Sequence, residues 1–541
     1  MSRTHPLAAA ILSLALSFAA PDCSASPPRD LDWAEGAVMY EVFVRSFADS
    51  DGDGIGDLNG LTAKLDYLND GDSTTTRDLG VDGIWLMPIF PSPSYHGYDV
   101  TDYEHVNPDY GTDADFDRLL SEAHRRGIRV IIDLVLNHTS DHHPWFLDSA
   151  SGPGSPRRDW YVWSPEDRHW GQPWNPLGTA WHRIRGAYYY GLFWSGMPDL
   201  NFRTSAVQDE MERIAELWLD RGVDGFRLDA TRHLVETGPG DGQSDTPETH
   251  SFLREFAERV NRAKPDALLV GENWTDAAAI ATYFGSGDSA SWGDELPCNF
   301  DFPLAAAIVE GVGSGDGRGI AAVLREVKRL YPPGAIDAPF LTNHDMVRVA
   351  TRLESKPGRL RSAASLLLSL PGTPFLYYGE EAGLENGRGD DDRFKRTPMP
   401  WDGSNGGGFT RGTPWFGFAP GRERANVAIE DTIPSSLLSR YRDLIRARRQ
   451  DLVLRRGRLE EVLTPEEHPT PALAFTRRLG AKRLLIVHNL GDGVVSAGPY
   501  AVEAPALRPI FVDAGVRASS SGAAGVTVTL PPHAVGIWRI D

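Results

Sequence analysis

Apolar and polar positions along this chain alternate between short apolar runs and longer stretches with helical spacing, beginning at Val38. Val38 to Phe47 reads as a first strand and Val81 to Pro88 as a second. Ile128 to Leu136 is a near-continuous apolar run of the kind a parallel sheet buries on both faces. Between the last two, Thr112 and Asp115 form a capping box and Phe116, Leu119, Leu120 and Ala123 share one face. Gly127 closes that helix. Ser205 with Gln208 starts another, with Val207, Met211, Ile214 and Trp218 on one side and Gly222 at its end. Gly225 to His233 reads as a buried strand that ends in charge, and later strands are expected at Leu268 to Gly271, Phe340 to Thr342 and Phe375 to Tyr378. Alternating strands and helices, with polar residues gathered at strand C-termini, predict an α/β fold of the (β/α)8-barrel type. A doubly wound sheet competes, but no Gly-rich phosphate loop follows the first strand.

Two stretches break the alternation. Residues 139–204 hold Trp145, Trp160, Trp163, Trp170, Trp174, Trp181 and Trp194 among many Pro, Gly and His. So long a segment without a period reads as a functional excursion, and its tryptophans as mainly core with some free to stack on sugar rings. After a helix carrying Leu437, Leu438, Tyr441, Leu444 and Ile445, short alternating strands take over, as at Ala472 to Phe475, Arg483 to Val487 and Gly525 to Leu530. That is an all-β sandwich at the C-terminus. The expected organisation is a leader over 1–26, barrel over 27–138 and 205–450, an inserted domain over 139–204, and the β domain over 451–541.

The barrel strands end in chemistry. Gly225 to His233 reads Gly-Phe-Arg-Leu-Asp-Ala-Thr-Arg-His, and side chains alternate along a strand, so Arg227 and Asp229 face the same way. An arginine beside a carboxylate keeps it charged and oriented, as a nucleophile or a structural ion pair would need. Asp133-Leu-Val-Leu-Asn-His138, Gly271-Glu-Asn-Trp274 and Phe340-Leu-Thr-Asn-His-Asp345 lie around it in order. Together the four segments resemble the signatures of glycoside hydrolase family 13, the α-amylase family, and the resemblance spans roughly residues 36 to 450. It implies that Asp229 is a nucleophile, Glu272 an acid/base and Asp345 a third carboxylate gripping the sugar. Retention of configuration requires two such carboxyl groups about 5–5.5 Å apart. It further implies that Arg227, His138 and His344 donate hydrogen bonds to the same sugar. Ser94 to Tyr98 resembles the next motif, which adds His96 and Tyr98. It implies an inserted domain B after the third strand and a C-terminal domain C.

Departures within the motifs refine the expectation. Exo-acting α-glucosidases of the family typically carry an Asp where this chain has Tyr95, which favours chain-internal cleavage. Ala230 follows the expected nucleophile, where enzymes cutting α-1,6 bonds commonly have Val. Met197 to Asn201 resembles the motif of a group between oligo-1,6-glucosidases and neopullulanases. The expected activity is therefore retaining endo-hydrolysis of α-1,4-glucan by a secreted α-amylase. A glucanotransferase or maltogenic or α-glucosidase activity is the alternative, and a non-catalytic glucan-binding relative a third.

Asp49, Asp51, Asp53, Ile55 and Asp57 place oxygen donors at every second position among flexible glycines, as a hard cation such as Ca2+ requires. An EF-hand would need Glu where Gly60 stands, so the loop instead resembles the family's calcium loop after the first strand. A second calcium site would use Asn137 and Asp199. The formal net charge of −21 disfavours nucleic acid and anionic membrane as partners. The apolar run Leu7 to Ala20, preceded by Arg3 and His5, reads as a secretory signal peptide, so the protein is expected outside the cytoplasm as a monomer. If Cys23 leaves with that leader, Cys298 is alone and no intramolecular disulfide can form.

Overall fold

The computed structural model describes residues 29–285, 294–466, 468–502 and 507–540. The expected leader and Cys23 lie outside them. Eight strands pair in parallel: Met39–Val42, Gly83–Leu86, Arg129–Leu134, Gly225–Leu228, Leu268–Gly271, Cys298–Phe300, Ile336–Ala338 and Phe375–Tyr377. The first pairs with both the second and the eighth, and Phe340 bridges Phe375 in parallel to bring the remaining edges together. The result is a nearly closed barrel. Inward side chains (Met39, Trp85, Ile131, Leu268, Val270, Phe300, Phe375) fill it, while the outer faces of the strands merge with the helix layer in a separate core.

Several boundaries differ from the periodicity. The first strand stops at Val42 and Val44–Phe47 is one helical turn. All four residues of that turn are buried, so its composition could not distinguish it from strand. The seventh strand lies at Ile336–Ala338, not Phe340 to Thr342. Pro339 has no N–H to donate, which ends the ladder and leaves Phe340 a lone bridge. Cys298–Phe300 has no signature in the sequence pattern because three residues are too few to show a period. The helix Asp113–Arg125 has the expected capping box at Thr112 and Asp115. Ser205–Arg221 is instead N-capped at Thr204, whose hydroxyl donates to Asp159 O, and Gln208 reaches Phe202 O. Gly225 has φ +141° and a Cβ there would sit 2.0 Å from Leu268 O, so only glycine lets the fourth and fifth strands approach.

Between the third strand and Ser205, a three-stranded antiparallel sheet (Trp163–Ser164, Ala187–Tyr190, Trp181–Ile184) organises the excursion. Trp145, Trp160, Trp163, Trp170 and Trp181 pack within it, whereas Trp174 and Trp194 are about half exposed. The C-terminal domain has a five-stranded and a three-stranded antiparallel sheet, with Ala474, Leu485 and Trp538 of one meeting Ala497, Val526 and Val528 of the other. That is a sandwich. No described helix is long and apolar enough to cross a membrane.

Candidate active site

The C-terminal ends of the barrel strands bring the motif residues together. Arg227, on the fourth strand, is fully buried and distributes its guanidinium among three carboxylates. Nη1 lies 2.6 Å from Asp229 Oδ1 and 2.9 Å from Asp133 Oδ1, and Nη2 lies 2.9 Å from Glu272 Oε2. Burial alone would lower the guanidinium pKa, but Asp133, Glu272 and Asp229 raise it well above its usual value. Burial drives the Glu272 carboxyl up to about 7; Arg227 opposes the rise, and the negative charges of Asp229 and Asp345 add to it. A carboxyl that keeps its proton near neutrality beside a second carboxylate held by arginine is the pair that acid-assisted substitution requires.

The backbone is bent to serve this pair. Ala230 sits at φ +49°, a left-handed conformation uncommon for a residue with a Cβ. In that conformation its N–H donates to Glu272 Oε2 at 3.0 Å. Thr231 Oγ1 approaches Glu272 O at 3.0 Å and Asn273 Oδ1 at 2.7 Å, and Asn273 Nδ2 donates to Asn299 Oδ1. Strain of this kind, held in place by surrounding hydrogen bonds, concentrates where side chains must be aimed.

His344 is buried between two carboxylates, with Nδ1 2.6 Å from Glu41 Oε1 and Nε2 2.8 Å from Asp345 Oδ2. Burial pulls its pKa down, but Asp345 and Glu41 outweigh it and raise it to about 9. Asp345 feels the converse: burial pushes it up, and His344 and Arg396 hold it far below the usual carboxylate range. Arg396 Nη2 is 2.7 Å from Asp345 Oδ1, while its Nε donates to His344 O. Tyr98 stacks on His344 at 5.5 Å and donates its hydroxyl to Asp133 Oδ2 at 3.0 Å. His96 stacks on Tyr98 at 6.1 Å, and its Nδ1 accepts the Tyr98 N–H. His138 is buried with Nε2 lacking a protein partner, a donor or acceptor free for a ligand. These contacts bring seven of the eight expected residues into one constellation, and His138 packs against Phe193 at 5.2 Å.

A cleft of about 620 Å³ opens on the Glu272 side, lined by Trp174, Phe193, Arg232, His233, Glu272 and Trp274. Arg232 holds one wall, gripping Asp245 and donating to Trp274 O at 2.7 Å. Tyr95, which is not part of this lining, stacks on Trp415 at 5.5 Å and meets Arg396 Nη1 at 3.5 Å. The acidic loop lies apart from this cleft's lining. Asp49, Asp51 and Asp57 each place an oxygen within 4.8 Å of the others, a spacing that fits a hard cation with oxygens 2.3–2.6 Å away. Asp53 is outside that group, and its Oδ1 accepts Ile55 N–H at 2.7 Å. At the second expected cation position Asn137 Nδ2 donates to Asp199 Oδ2 at 3.1 Å, and Asp199 Oδ1 accepts Leu192 N–H.

The family described as "Alpha amylase, catalytic domain" matches residues 41–457. The chain belongs to the α-amylase family. It is 40% identical over 463 residues to "Alpha-amylase 3" of Dictyoglomus thermophilum, covering 85% of each chain. It is 35% identical over 567 residues to the "Trehalose synthase/amylase TreS" of Mycolicibacterium smegmatis, covering 94% of this chain and 92% of that one. An "Oligo-1,6-glucosidase" of Parageobacillus thermoglucosidasius is 33% identical over 529 residues, covering 85% and 91%. Among solved structures, the α-amylase from H. orenii superposes with a TM-score of 0.82 at 39% identity, covering 94% of this chain and 100% of that one. The family places the chain among glycoside hydrolases and transglycosylases.

Four contributors to this α-amylase-family site carried no assignment from sequence: Glu41, Asp133, Arg396 and Trp274. Asp133 opens a recognised motif and Trp274 closes one, so spacing could have flagged both. Glu41 is one polar residue in an apolar strand, and a buried carboxylate there needs a partner. Arg396 sits in an irregular loop without a motif, and only folding brings it to Asp345.

Proposed function

We propose that the protein is a retaining α-amylase that cleaves α-1,4-glucosidic bonds inside starch and maltooligosaccharide chains. The observation that carries this reading is the sharing of Arg227 between Asp229 and Glu272, with Glu272 kept protonated up to about pH 7. In this mechanism Asp229 attacks the anomeric carbon while Glu272 protonates the departing glycosidic oxygen. Glu272, now a carboxylate, then takes a proton from water as that water opens the glycosyl ester and restores Asp229. Asp345, Arg227, His344 and His138 bind the sugar hydroxyls, and Tyr98 offers its ring face with His96 beside it. Glucan on the leaving-group side would lie along the cleft of Trp174 and Trp274.

The endo reading is supported by Tyr95. A terminal-sugar enzyme needs a charged stop there, and a ring stacked on Trp415 offers a surface for a continuing chain instead. The product course tests this: soluble starch should lose iodine colour and viscosity before much glucose appears, and an end-blocked maltooligosaccharide should be cut. Glucose as the sole early product, with the blocked substrate intact, would refute endo attack. A second reading, glucosyl transfer to a sugar acceptor, draws on the open aromatic cleft on the leaving-group side. We further propose Ca2+ at Asp49, Asp51 and Asp57, export to the periplasm or medium, and a monomer without nucleic-acid or membrane partners. Bound there, calcium would tie the loop after the first strand.

A further inference from the structure

Glu41 stands in the first barrel strand, one pleat above the inward-facing Met39, and is buried. A carboxylate in an apolar barrel costs several kcal/mol unless it is paired. Its partner is His344, at 2.6 Å from Nδ1, although the two residues lie 303 apart in sequence. With Nδ1–H donated to Glu41, Nε2 is aimed at Asp345 Oδ2 (2.8 Å) and the Tyr98 hydroxyl (2.7 Å). Trp85 meets the ring edge-on at 5.7 Å and Tyr98 covers its face, so the imidazole has no freedom to choose another partner.

We propose that Glu41 is a positioning residue for the reaction. Its carboxylate keeps both nitrogens of His344 protonated, and so keeps Nε2–H directed at Asp345 and at the sugar hydroxyl those two groups share. The inference rests on the reading of Asp345 as a sugar-binding carboxylate.

The other charged and titratable groups around the ring are accounted for. Asp345 faces Nε2, Tyr98 shares that nitrogen, and Arg396 binds the His344 carbonyl. Asp133 and Arg227 lie one hydrogen bond further, through Tyr98. Of these, Glu41 alone meets Nδ1. Without its charge, Nδ1–H would face a neutral acceptor, and the ring could lose a proton while still fitting its pocket. A neutral ring with hydrogen left only on Nδ1 would turn a lone pair toward Asp345 and repel it.

The test uses the full-length protein with Glu41→Gln, which keeps the shape and removes the charge. The His344 resonance, identified by its absence in His344→Asn, is titrated by NMR, and kcat and KM on a maltooligosaccharide are measured across pH. In Glu41→Gln the His344 midpoint should fall by about one unit or more, a tenfold change in proton affinity. The kcat deficit should widen toward alkaline pH with KM changed less. Glu41→Asp keeps the charge and should retain more of the high midpoint and more kcat at alkaline pH. An unmoved midpoint in Glu41→Gln, or identical behaviour of the Gln and Asp variants at every pH, would overturn the proposal. The NMR titration is independent of turnover, so a failure of the glycosidase reading would appear separately, in the wild-type product assay.

Discussion

The raised pKa of Glu272 costs the fold stability as pH rises. Its folded pKa of about 7 stands above the ordinary glutamate value of 4.5, so between those values the native state binds more protons than the unfolded chain. Stability from this group is therefore fully present below about pH 4.5 and is lost as pH rises through 7. Replacing it with glutamine should remove that penalty: Glu272→Gln is expected to melt at a higher temperature than wild type at pH 8, with the difference shrinking at pH 5. The same variant should lose about 10²- to 10⁴-fold in kcat/KM on glucan, the usual range for a lost acid/base. Equal melting temperatures at pH 8 and pH 5 together with near-normal turnover would mean that Glu272 neither carries the proton nor feels the field described. In wild type the alkaline limb should fall near pH 7, as a property of the coupled carboxylates together.

At the scale of elements, most of the barrel strands contribute a part of the constellation at or beyond their C-terminal ends. The first strand and its loop contribute Glu41 and the acidic turn of Asp49 to Asp57. That turn is well hydrogen-bonded: Asp49 accepts from Gly52 and Gly54, and Asp57 from Ser50 and Gly60. Thr410 also donates to Asp49, tying it to the chain after the eighth strand. If calcium occupies Asp49, Asp51 and Asp57, chelation should lower the melting temperature and added calcium should restore it by linkage to the native state. Asp51→Asn should weaken that response, whereas Asp53→Asn, outside the converging group, should leave most of it. Melting curves indifferent to chelator and to calcium would remove the ion from this loop. The contrast also marks what could be read from sequence. Alternating aspartates announce an oxygen-rich turn, but which of them converge is set by backbone torsions that alternation does not encode.

The same limit explains the strand errors. Buried parallel strands lack a polar phase, so Val44–Phe47 could not be told from strand, and Pro339 shifted the seventh strand by its missing N–H. Motif residues were legible because chemistry confines them to strand ends. Glu41 and Arg396 were not, because their partners lie 303 and 51 positions away.

For the molecule as a whole, the barrel and the C-terminal sandwich are joined by buried arginines. Arg477 of the sandwich donates to Ser369 O, Leu370 O and Gly457 O, and Arg448 donates to Leu368 O and Leu370 O. Both serve the C-terminus of the helix Pro357–Ser369, whose last carbonyls lack helical partners and carry partial negative charge. Arg477→Leu would take this donor from the buried carbonyls of Ser369 and Gly457, at about 1–3 kcal/mol each, while Leu370 O would keep its bond from Arg448. The expected result is a clear fall in melting temperature by calorimetry, and an unchanged melting temperature would show that the sandwich does not brace the barrel this way.

In the proposed mechanism Asp229 forms a covalent bond to glucose while Glu272 manages the proton. Mass spectrometry of the protein after reaction with a fluorinated α-glucosyl fluoride, chosen to slow hydrolysis of the intermediate, tests it most directly. One hexosyl adduct should form, and digestion should place it on Asp229, with none in Asp229→Asn. Turnover of the reagent without any adduct, or an adduct on another residue, would contradict the account.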